Sequence, residues 1–276
     1  MMRSVLAMLR KEWLENPLVL RIPLFLFACG FLLFVSVMSN SSLQNDMSFQ
    51  MSIDGDASDI HHSLGDSING FIAGAAGLLS ILLGTHYFPR TLRKARTEGS
   101  IMFWRSMPVS DVKTHVVKLT FGLLVIPLVC SILVLAANMM LWILNVSTEH
   151  QLALFQSQAS LGNIFVSWIT FLLRMVFAGV LLLPLALSAM AISQKVNSPL
   201  IVMFIAVCAL KWMPIVLLGF YGIDDFFSAI FSLPLNAIIY SNPLSAIPEA
   251  GWFNVAIYTL CGVMAGATSL KFSRTA

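Results

Sequence analysis

Phe103 and Trp104 stand side by side in a polar stretch, TEGSIMFWRSMPVSDVK, between two long apolar runs. An aromatic pair edged by charges, here Glu98 and Arg105, suits a docking element. The rings fill a partner's pocket while a polar rim excludes water. Pro108 opens a turn, and Ser110 stands where an N-cap would start a helix into the next apolar run. The same rings could instead lie among lipid headgroups, where Trp is enriched. Arg174 and Lys211 also invite chemistry, because each falls inside an apolar run. A charge there costs about 2.5–3.5 kcal/mol on insertion scales. These two bases either snorkel to the outer surface or pair with Asp224 and Asp225, or else they line a pathway and meet an anionic headgroup or substrate.

Other chemistry is sparse. No G-x-x-x-x-G-K-[ST], H-E-x-x-H or G-x-S-x-G occurs, and no apolar run contains Asp or Glu. That composition argues against a proton- or sodium-coupled carrier and against a metal or aspartyl intramembrane protease. His61-His62 is expected in a solvated outer loop rather than at a metal. Cys29, Cys130, Cys208 and Cys261 each fall in a separate apolar run and read as small membrane-embedded hydrophobes. No catalytic residue, metal site or cofactor is expected on this chain.

The elements that would hold these residues are membrane spans. The chain of 276 residues is 58% hydrophobic and 11% charged, against roughly 45–50% and 25% in soluble domains. The fold class expected is an all-α polytopic membrane protein, one domain over 1–276 with six transmembrane helices. Their ranges are Ile22–Met38, Asn69–Phe88, Lys118–Leu144, Ile164–Ile192, Pro199–Phe220 and Trp252–Leu270. Before them, within 1–21, Met2, Val5, Leu6, Leu9 and Trp13 recur at helical spacing. Arg3, Arg10, Lys11 and Glu12 lie off that stripe, which predicts an amphipathic interfacial helix. Segment 89–118 becomes a loop between spans two and three. Segment 221–251 is too apolar for a free loop, and Pro234, Pro243 and Pro248 interrupt it. It is expected to form short re-entrant helices in the outer leaflet.

Charge sets the orientation. No Lys or Arg occurs between Met38 and Phe88, where five aspartates do, and seven follow between Pro89 and Lys118. With six crossings and the N-terminus inside, every base except Arg174 and Lys211 lies on one side. Both termini are therefore expected in the cytoplasm. The bases track sidedness and build no groove, so no nucleic-acid partner is expected. Gly70 with Gly74, and Gly262 with Gly266, offer small faces for close helix packing within the chain or between subunits.

Glu98, Gly99-Ser100, Phe103-Trp104, Arg105, Ser106, Pro108-Val109-Ser110 and Lys118 together resemble the early cytoplasmic loop of type-2 ABC exporter permeases. The N-terminal LRKEWLENP is similar to that family's interface helix. The resemblance implies the transmembrane permease subunit of an ATP-driven exporter in the bacterial cytoplasmic (inner) membrane. It implies a coupling loop at 89–118 that receives a separate ABC ATPase subunit carrying the ATP and Mg. It also implies a second permease copy, or a paralogous permease, set in membrane lipid. The alternatives are a non-transporting scaffold or assembly factor and a lipid-modifying membrane enzyme.

Overall fold

The computed structural model describes residues 2–40, 57–97, 110–147, 160–196, 198–240 and 242–275. These residues are all-α. The interfacial helix is α1, Met2–Glu15, and after Asn16-Pro17 comes α2, Leu18–Ser39. Helix α3 is Ala57–Thr97. Helix α4, Asp111–Thr120, runs through a π-helical turn at Phe121–Val125 into α5, Ile126–Ser147. Then follow α6, Leu161–Ser193, α7, Pro199–Leu218, and α8, Gly222–Ile239. A 3₁₀ turn at Pro243–Ser245 and the short α9, Ala246–Ala250, lead to α10, Trp252–Thr275.

Seven stretches are long and apolar enough to cross a bilayer: α2, 68–92 of α3, α4 through α5, α6, α7, α8, and Trp252–Ser273 of α10. The chain is a multi-pass membrane protein, with one more candidate span than the sequence reading counted. The addition is α8. Pro234 was expected to cut segment 221–251 into pieces, yet it lies buried inside an 18-residue helix. A proline mid-helix is tolerated where neighbouring elements and local adjustment meet the freed backbone groups. Pro89 misled in the same way. It is buried in the 41-residue α3, so 89–97 is helix rather than loop, and α4 already begins at Asp111. The stretch between these helices shrinks to 98–110. His61 and His62, expected in a loop, are part of α3.

Contacts divide the chain into two compact units. One comprises Pro17–Leu79 and Pro127–Leu173. Within it Leu144 is buried against Phe34, Val37, Met38, Ile68 and Leu141. Gly70 and Gly74 of this unit have nothing within 4 Å of where a side chain would begin.

The other unit comprises Met1–Asn16, Ser80–Ile126 and Arg174–Ala276. Its core joins Leu181 and Phe177 of α6 to Leu233 and Ala237 of α8, Ala246 and Ala250 of α9, and Val255 of α10. Two glycines make close approaches possible. A side chain at Gly122, in the π-turn, would overlap the Phe88 ring, and one at Gly262 would overlap Pro184. Pro184 lies inside α6. Beside it the Tyr258 hydroxyl donates to Leu181 O at 3.0 Å and accepts from Leu185 N–H at 3.1 Å. A side chain thus bridges one i→i−4 step of the backbone ladder.

Candidate functional site

In α1, Met8 and Glu12 are one turn apart and both buried, while Leu6, Trp13 and Leu14 are exposed. The helix therefore turns a carboxylate inward, although the sequence pattern assigned Glu12 to the polar face. A buried carboxylate needs partners, and here they are numerous. Lys118 Nζ of α4 lies 2.6 Å from Glu12 Oε1. Tyr87 of α3 donates its hydroxyl to Glu12 Oε2 at 2.8 Å, and Thr91 donates to the same oxygen at 3.3 Å. The Lys118 ammonium also donates to Thr91 O at 3.0 Å and to its hydroxyl at 2.7 Å. Glu12, Tyr87, Thr91 and Lys118 are each at most 5% exposed. An ion pair whose remaining donors and acceptors are all met is the case in which attraction offsets desolvation.

A second cluster starts three residues before Lys118. Asp111 O can only accept, so His115 Nδ1, 2.9 Å away, carries the proton. His115 Nε2 is then the acceptor for the Ser269 hydroxyl of α10 at 3.0 Å. Gln194, just past α6, donates its amide to Ser269 Oγ at 2.8 Å and to Ser269 O at 3.1 Å. Serine against histidine at this distance is the geometry of an activated nucleophile. Ser269 is 0% exposed, however, and its oxygen already accepts from Gln194. The contact ties helix ends together. Through these two clusters, α1 and the ends of α3, α4, α6 and α10 meet at one end of the unit.

Among the other sequence-predicted residues, Glu98, Phe103, Trp104, Arg105 and Pro108 lie outside the described residues. Ser110 does precede α4 with extended backbone, but its hydroxyl makes no capping bond. Arg174 donates from Nη1 to Ile238 O at 2.9 Å and Tyr240 O at 2.8 Å, placing a cation at the C-terminus of α8. Lys211 pairs with Asp224 at 2.9 Å, one of the two partners its sequence allowed, and donates to Ser228 at 3.2 Å. Gly262 and Gly266 pack within the chain, on Pro184 and Leu187. Among the described residues no three His, Cys, Asp or Glu side chains gather as a metal site.

Sequence reasoning quoted Glu12 and Lys118 in two separate motifs and did not join them. The signal was a second acid in α1, Glu12 beside the Glu15 that pairs with Lys11 one turn away, and a lysine heading an apolar run. Comparison with family models, with curated proteins and with solved structures finds no match, so the functional reading rests on the residues themselves.

Proposed function

We propose that this chain is the permease subunit of an ATP-driven exporter resembling the type-2 ABC class, with residues 98–110 and their helical flanks receiving a separate ATPase. One observation carries the reading. The Glu12–Lys118 pair, with Tyr87 and Thr91, braces α1 and the two helices that lead into and out of 98–110. A loop that takes mechanical work from a partner needs a rigid mount, and a buried, fully bonded ion pair between three helices provides one. A loop that merely rests in headgroups needs none.

The same clusters bear on topology. The N-terminal helix and the end of α10 meet at one end, which favours an even number of crossings. We read α8 as re-entrant and the chain as six spans. Six crossings also keep Lys271 and Arg274 with the other bases, on the cytoplasmic side. The proposal gives Arg174 and Lys211 no part in the pathway, since α8 supplies partners to both.

Affinity purification of the tagged chain from its native membrane in mild detergent tests the reading. The expected result is a co-purifying P-loop ATPase that is lost from the Phe103→Ala/Trp104→Ala variant, because an aromatic anchor is commonly worth about 2 kcal/mol or more of binding. Preparations that retain an ordinary membrane yield but never contain an ATPase would leave the scaffold alternative standing instead.

A further inference from the structure

An apolar groove of about 330 Å³ lies on the face of α4 and the π-turn, where they pack against α6. Val116, Thr120 and Leu124 line one wall, and Val176, Val180 and Leu183 the other. A side chain begun at Gly179 would come within 3.2 Å of Leu123 O. The backbones therefore pass closely there, and the missing side chain leaves the groove open above the contact. Val116, Val180 and Leu124 are 54%, 62% and 47% exposed, so this chain does not itself fill the space.

What occupies it follows from position and charge. Lys113 lies one turn before Val116 and two before Thr120, on the same side of α4. Helical side chains tilt toward the N-terminus, and Lys113 is not among the residues lining the groove, so it heads the stripe at the groove's N-terminal end. Unlike Lys118, which is buried on Glu12, Lys113 is only partly buried, and its ammonium has no ion-pair or hydrogen-bond partner among the described residues. The polar residues of Asp111–Ser147 crowd its first turns, and this 37-residue span is about 55 Å long. Its start therefore reaches past the roughly 30 Å hydrocarbon core into the headgroup layer. A cation with no side-chain partner among the described residues, at headgroup level above an apolar groove, is complementary to a phosphate with an acyl chain below it.

We propose that this groove holds one anionic phospholipid, its phosphate on Lys113 and an acyl chain between α4 and α6. The distance from Lys113 to Leu124, 11 residues, is about 16 Å along the helix, room for the glycerol and the upper part of a chain. A basic residue at the membrane surface contributes about 1 kcal/mol toward an anionic headgroup, which corresponds to roughly fivefold preference over a zwitterionic one. The inference depends on the membrane character of the chain and not on its being an exporter.

Nanodiscs of phosphatidylcholine containing the full chain, with a trace of phosphatidylglycerol or phosphatidylcholine bearing a photoreactive acyl chain, provide the test. Cross-linked peptides are quantified by mass spectrometry. The phosphatidylglycerol probe should label 116–124 and 176–183 about fivefold more than the phosphatidylcholine probe. Lys113→Gln should bring the ratio near one, and Lys113→Arg should keep it. Val180→Trp, at an exposed position, should remove groove labelling by both probes while leaving the thermal midpoint in place. Equal labelling by the two probes in the unaltered chain, a ratio unmoved by Lys113→Gln, or labelling as dense on α2 and α7 as in the groove would each overturn the proposal.

Discussion

Replacing Lys118 by Met removes the ammonium and keeps most of the stem. Glu12 then stays buried with donors from Tyr87 and Thr91 but no counter-charge. At the observed 2.6 Å, the gross attraction in an effective dielectric near 20 is about 6 kcal/mol. Much of that is offset by the desolvation of both ions. Breaking such a pair from one side nevertheless costs about 3–5 kcal/mol, because the remaining charge stays buried. The double variant Glu12→Leu/Lys118→Met leaves no orphan charge and should cost far less, within about 1–2 kcal/mol of the unaltered chain. Denaturant unfolding in detergent micelles, followed by Trp fluorescence, measures all four corners of the cycle, and Trp13 beside Glu12 reports α1 directly. A Lys118→Met cost below about 1 kcal/mol would refute the brace. So would a double variant as damaged as the sum of the singles, since additivity means the side chains do not depend on each other.

Three further outcomes are expected. Gly122→Val should destabilise by about 1–3 kcal/mol through overpacking on the Phe88 ring, and Phe88→Leu in the same chain should recover part of the lost thermal midpoint. Tyr258→Phe removes the hydroxyl that bridges Leu185 N–H and Leu181 O; a loss of about 1–3 kcal/mol in denaturant unfolding is expected, and no loss would mean that the ladder closes by itself. Arg174→Met strips two carbonyls at the end of α8 of a charged donor and should cost about 1.5–3 kcal/mol. Lys211→Met breaks a partly exposed pair worth at most about 1 kcal/mol, so a thermal-midpoint ranking with Lys211→Met as the more damaging would contradict both assignments.

Much of this protein follows from composition and period alone. In lipid every backbone polar group must be met within the segment, so a long apolar run has one outcome, a helix. α1, α2, α6 and α7 accordingly lie within a few residues of where hydropathy and helical spacing place them. The presence of Lys211 within reach of Asp224 was also legible, because the two lie close along a chain that turns between them. Prolines were the unreliable signal. Pro89 and Pro234 mark helix ends in a soluble protein, but here both are buried within helices whose neighbours support them.

The brace at Glu12 was decided only by tertiary structure. Hydrophobic periodicity describes an average face and cannot say that one carboxylate on the polar side meets a lysine 106 residues away. The same holds for Arg174 on the C-terminus of α8 and for His115 on Ser269. Each pairing couples elements that are remote in the chain, and burial sets its strength. Burial is a property of the packed helices together. A sequence therefore specifies that charges near apolar runs must find partners, since unpaired burial is too costly, and the packing selects which partners they find.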